Sequence, residues 1–207
     1  MAVVDSGFTE STSGASSLIS YGVVLRDESQ KVSALNVTLS VTMLDSQGRS
    51  LDRETTVITA IPAGATFYVG GEATPNVSLT LAKLNISVST ASSTVKTPAL
   101  PSLSRLALIP EVLGGLPVAG FGSVGGAIAN PYHRALRSEA TIYVVYLNSQ
   151  GQVVGGDSEP AGAEVEPGAT VAFSLPDLDI GAARSVEASV DPCVFLGNQL
   201  ASNCPVK

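Results

Sequence analysis

The chain has 207 residues, 44% of them hydrophobic and only 14% charged, with no tryptophan and a formal net charge of −7. Its eleven Lys and Arg residues stand singly, which excludes the basic stripe that neutralises phosphates in nucleic-acid binding. No apolar run approaches the ~18 residues needed to cross a bilayer as a helix.

The length allows one large domain or two of about 100 residues each. Ser, Thr, Val and Gly dominate, a composition that suits strands and tight turns better than helices. The N-terminal "AVVDSGF" has neither a basic region nor a long apolar core. An exported protein would therefore have had its leader or lipid anchor removed before this point.

Strand signals follow in chain order. "YGVVLRD" (Tyr21 to Asp27) reads as a first clear strand. In "NVTLSVTML", Val37, Leu39, Val41 and Met43 alternate with Asn36, Thr38, Ser40 and Thr42, the period of two of a strand with one buried face. "DSQG" then supplies an Asx-to-Gly tight turn. The next strand enters with Leu51 and ends at the turn from Pro62 to Gly64, and "AKLNISVST" closes the series. Alternation is lost over Ser93 to Ser102, where two prolines bracket small residues.

The same signals then recur. "VTMLDSQGRSL" (Val41 to Leu51) matches "VVYLNSQGQVV" (Val144 to Val154), displaced by 103 residues. "IPAGATF" at Ile61 matches "VEPGATVAF" at Val165, displaced by 104 up to the shared Gly-Ala-Thr. "YGVVLRD" aligns with "GGAIANP" at the same displacement of 104, which sets Gly22 against Gly126, and "AVVDSGF" aligns in outline with "LALIPEV". Four segments in one order at nearly constant displacement predict two copies of one domain, residues 1–97 and 98–207. In the second copy Ala140, Ile142, Val144 and Tyr146 are expected inward. The outward face, with Thr141, Tyr143 and Val145, is less polar than its counterpart. Another strand is expected at "ARSVEASVD". Short strands at roughly 10-residue spacing predict an all-β fold of two tandem β-sandwiches.

"YGVVLRDES…ALNVTLSVTMLDSQGRSL…IPAG" resembles the FxLYD-type and related immunoglobulin-like domains of exported bacterial proteins. That pattern pairs a strand ending in Gly-Val-Val-x-x-Asn with one ending in Asp-x-x-Gly before a Pro-Gly turn. The first copy has Asp27 where the pattern has Asn, while the second keeps Asn130. The resemblance implies tandem immunoglobulin-like (fibronectin type III-like) sandwiches at a cell envelope. It brings no catalytic residues with it.

Several local motifs invite chemistry. Gly120, Gly122 and Gly125 spell G-x-G-x-x-G, but Pro131 would break the helix that a dinucleotide cradle needs, and the next strand ends on neutral Asn148. The glycines are expected instead to permit a bend or bulge leading into a strand. His133, the sole histidine, lacks a nucleophile elbow and reads as a loop residue. Asp177 and Asp179 are too few oxygens for calcium, and Glu159, Glu164 and Glu166 read as a solvated edge. Of the sequons at Asn36, Asn76 and Asn85, two fall inside alternating strands rich in Ser and Thr, where they arise by composition. No cofactor or metal site is expected.

The expected function is a non-enzymatic extracytoplasmic binding or structural module with a protein or cell-surface partner. The alternative is a carbohydrate-binding accessory module, for which Tyr132, Tyr143 and Tyr146 are the candidate contact aromatics. Cys193 and Cys204, the only cysteines, favour a disulfide over two free thiols, since zinc would need about two further ligands. Such a loop closure is worth about 3 kcal/mol and belongs to an oxidising compartment. Mass spectrometry of the non-reduced protein is expected to find neither cysteine alkylated; two alkylated thiols would refute the bridge.

Overall fold

The computed structural model describes residues 1–13, 16–75, 80–95, 100–113, 116–179 and 181–192. Six strands form the first half: β1 (Ala2–Ser13), β2 (Ser16–Arg26), β3 (Ser33–Leu44), β4 (Ser50–Ile61), β5 (Thr66–Ala73) and β6 (Lys83–Thr94). Six form the second: β7 (Ser102–Leu113), β8 (Leu116–Ala129), β9 (Thr141–Leu147), β10 (Val153–Pro160), β11 (Thr170–Asp179) and β12 (Ser185–Asp191). The described residues contain no helix. The strands make four three-stranded antiparallel sheets, ordered β1-β2-β5, β4-β3-β6, β11-β8-β7 and β10-β9-β12. The strand order of the first half thus recurs in the second.

Two apolar cores follow from the alternation. Ile19, Tyr21, Val23 and Leu25 of β2 meet Val37, Leu39, Val41 and Met43 of β3 in the first. Ile142, Val144 and Tyr146 of β9 meet Val124 and Ile128 of β8, with Phe173 of β11, in the second. Each fully buried aliphatic or aromatic side chain contributes roughly 2 kcal/mol.

Equivalent turns close both halves. Asp45 Oδ1 accepts the N–H groups of Gln47 (2.8 Å) and Arg49 (2.9 Å). Asn148 Oδ1 does the same for Gln150 (2.9 Å) and Gln152 (3.0 Å). Gly48 and Gly151 then take φ of 79° and 75°, the left-handed conformation that favours glycine. Past β2, Asp27 accepts from Ser29 N and Ala34 N. Past β8, Asn130 accepts from Tyr132 N and donates to the carbonyls of Arg134 and Val165. Asp27 N bonds Ala65 O as Asn130 N bonds Ala169 O, both at 3.0 Å.

These anchors correct the alignment of β2 with β8. Asp27 corresponds to Asn130, so the displacement there is 103 and the counterpart of Gly22 is Gly125, not Gly126. Gly126 replaces Val23 on the core face, where a Cβ would sit 2.7 Å from the Phe173 ring. The ring fills the space that the missing side chain leaves. The glycine motif also lies within β8 rather than leading up to it, and the irregularities fall in the pairings with β7 and β11.

A third contact joins the halves: the sheet β1-β2-β5 packs against β10-β9-β12. Val24, Val145 and Val153 form its small apolar centre. Stacked sheets ordinarily lie about 10 Å apart with interleaved side chains; here glycines remove the side chains and backbone meets backbone. A Cβ on Gly70 would overlap the Val144 carbonyl oxygen and the Asp157 nitrogen, and one on Gly7 would overlap the Val153 carbonyl. The edge groups of β10 are satisfied across the contact. Ser20 Oγ both donates to Gly156 O (2.8 Å) and accepts from Gly156 N (2.9 Å), Thr9 Oγ1 donates to Val154 O, and Asp5 accepts from Val153 N.

Gly70→Ala is expected to cost about 3 kcal/mol or more, because backbone rather than a movable side chain blocks the new methyl. Gly125→Ala, whose Cβ would meet Ile109 Cδ1 at 3.4 Å, is expected to stay within about 1 kcal/mol of wild type. Urea unfolding of the two variants checks the contrast; equal effects would mean the sheets do not approach this closely.

Candidate functional site

The sequence-derived contact aromatics are largely interior. Tyr146 is 1% exposed within the second core. Tyr143 is 7% exposed and packs edge-on against Phe67, with ring centroids 6.2 Å apart, so it joins the first core although it comes from the second half. Neither offers a platform to a sugar, because β9 is covered on both faces. Tyr132 is half-buried against the second core. Desolvation, then the Asp191 carboxylate, raises the phenol pKa of both Tyr132 and Tyr143, keeping them protonated at neutral pH.

The remaining candidates are scattered. His133 is exposed in the loop after β8, Asn85 is exposed on β6, and Asn36 is half-buried in β3 with φ of 49°. Asp177 and Asp179 fall at the end of β11. Cys193, Cys204 and Asn76 lie outside the described residues. Among the described residues, no group of three or more His, Cys, Asp or Glu could hold a metal ion.

One concavity sits where the halves meet, a cleft of about 420 Å³ lined by Ser6, Gly7 and Phe8 of β1, Ala82, Lys83 and Leu84 at the start of β6, and Val153 and Val154 of β10. Phe8 and Leu84 give it an apolar side, and Lys83 is the one charged residue among the described lining residues. Such a lining can recognise a ligand but offers no acid–base pair.

The junction's polar residues went unrecognised in the sequence. Asp191 Oδ2 accepts the Thr59 N–H at 2.9 Å, and Ser189 Oγ accepts that of Tyr68 at 2.9 Å, both across the halves. Asp157, on β10 directly against Gly70, is 7% exposed. Burial is the main cause that pushes its carboxyl up to about 7, and Glu72 and Glu159 add to it against the hydrogen bond from Ser158 N. Asp45 goes the other way. Its desolvation is outweighed by the N–H groups of Arg49 and Gln47 and by the Arg49 guanidinium at 2.7 Å, which hold the carboxyl below its usual range.

No protein-family model and no curated protein matches the sequence. Among solved structures, red sea bream transglutaminase aligns at 10% identity over 92% of this chain and 30% of that one, with a TM-score of 0.25. A mutant Bacillus subtilis oxalate decarboxylase aligns at 9% identity over 93% and 78%, TM-score 0.16. The tandem CBM22 domain of Paenibacillus barcinonensis Xyn10C aligns at 10% over 89% and 85%, TM-score 0.14. The chain spans about three tenths of the transglutaminase's length. Likeness this slight says nothing of chemistry, which rests on the residues themselves.

Asp157 gives a direct test. With a folded pKa near 7 against an ordinary ~3.9, the native chain holds a proton that the unfolded chain has released. Unfolding free energy therefore falls as pH rises from about 4 to 7, while the Asp45 contribution is lost only below about pH 4. The melting temperature is expected to peak near pH 4 and decline toward pH 7, with Asp157→Asn flattening the decline. A melting temperature that rises from pH 5 to 8 would contradict the assignment.

Proposed function

We propose that the chain is a non-enzymatic, extracytoplasmic binding or structural module made of two tandem immunoglobulin-like domains and held at a bacterial cell envelope. The observation that carries this reading is the repeated sheet order. With the six strands of each half lettered A, B, C, C′, E and F, the sheets are A-B-E and C′-C-F, the arrangement of immunoglobulin-type sandwiches without their D and G strands. The glycine-cleared junction supports it further, since it fixes the angle between the halves as a spacer or presenting module requires. The burial of Tyr143 and Tyr146 takes away the aromatic surface on which a carbohydrate-binding role would rest.

Localisation tests the reading. A tagged full-length protein in its native cells is expected in the envelope fraction, digested by protease added to cells whose outer layer has been permeabilised. Recovery from the cytosol would overturn it. A broad hydrolase and transferase screen is expected to find no activity that His133→Ala abolishes; a specific activity lost in that variant would make the protein an enzyme.

A further inference from the structure

Among the described residues, four three-stranded sheets have eight edge strands, each with a row of backbone groups that no sheet neighbour takes. Seven of them carry a protection. Register irregularities interrupt the pairings of β1, β7 and β11. β4 bears Asp52, Arg53 and Glu54 in succession. β5 and β10 have edge groups taken by side chains of the opposite half. β12 is seven residues long with Glu187 at its third position.

The eighth, β6, has none of these between Leu84 and Ser93. It runs for 12 residues, carries no charge and no proline from Leu84 to Thr94, and pairs with β3 without an irregularity. Among the described residues, no hydrogen bond from another element reaches Leu84 to Ser93 on the open side. Its core-facing Leu84, Ile86 and Val88 are only half-buried, whereas the matching row of β3 is fully buried. The adjoining edge, β1, leaves Val3 and Val4 38% and 58% exposed.

We infer that β6 pairs antiparallel with β6 of a second copy of this chain, joining two β4-β3-β6 sheets into one six-stranded sheet. The strand is self-complementary. With Ile86 opposite Ile86 of the second copy, Leu84 meets Val88 on the core face, while Asn85 meets Ser87 and Lys83 meets Ser89 on the outer face. All three apolar residues then find apolar partners, and no like charges are opposed. A register centred on Ser87 would set Leu84 against Thr90 and lose that match. The contact is isologous and closes at two copies.

Sedimentation velocity of the full chain between about 1 and 500 µM is expected to show a monomer–dimer equilibrium, as suits an interface smaller than the standard ~1,600 Å². Ser89 and Lys83 are exposed, so substitution at Ser89 leaves the fold intact. Ser89→Lys opposes like charges twice and is expected to weaken the dimer about tenfold, while Ser89→Glu tightens it by a similar factor. Hydrogen exchange is expected to slow along β6 as concentration rises. Three results would each overturn the inference: a monomer at every concentration, a dimer indifferent to both substitutions, or protection in the dilute monomer of those β6 amides that face away from β3.

Discussion

The molecule depends on one contact, the backbone of β10 and β9 lying directly on the sheet β1-β2-β5. Glycines at 7, 22 and 70 clear one surface and glycines at 155 and 156 clear the other. The gain is dispersion between closely fitted backbones and satisfaction of edge groups by Thr9, Ser20 and Asp5, more than burial of large side chains. Such a contact has little tolerance. A Cβ at position 7, 22, 70 or 156 meets peptide atoms that cannot move aside, and one at 155 meets the Ser20 hydroxyl.

The same contact sets which sheets face outward. It is heterologous: the sheet β1-β2-β5 receives the sheet β10-β9-β12, which leaves β4-β3-β6 and β11-β8-β7 facing outward. Repetition of that contact between molecules would build an open filament. The outward sheets are altered against it. Where β10 has Gly155 and Gly156, β4 has Asp52 and Arg53, matched through their partners Tyr146 and Val145 against Met43 and Thr42. Where the receiving sheet has Gly7, Gly22 and Gly70, the second half has Ala107, Gly125 and Ser174. One clearing glycine of three remains, and the incoming strand would carry charge.

The architecture was legible wherever side chains carried it. Period two in β3, the Asx-Ser-Gln-Gly turns and the near-constant displacement between halves are hydrophobic or hydrogen-bonding signals, and each has its counterpart in the strands and turns. The junction was illegible for the opposite reason, because glycines make it by having no side chain. An indirect trace did exist. β9 reads Thr-Ile-Tyr-Val-Val-Tyr-Leu with five consecutive buried residues, where no buried run in β3 exceeds three. A strand covered on both faces reads as a continuous apolar run, and the weakly polar outer row of Thr141, Tyr143 and Val145 was that signature. Taken as surface, the same row made Tyr143 a ligand contact; taken as a second buried face, it locates the junction.

The low charge content follows from the same stacking. Four sheets have eight faces, and the two cores and the junction bury six of them, so only the outer faces of β4-β3-β6 and β11-β8-β7 need a hydrated surface. On β3 that face carries Thr38, Ser40 and Thr42, with Ser40 buried beneath Thr55 and Arg53 of β4, rather than dense charge. Hydroxyl-rich outer strands keep high β-propensity at modest solubility. Protection against self-association therefore falls on the edges, strand by strand, and the composition that makes a doubly covered stack economical in charge also leaves an uncharged edge without a second safeguard.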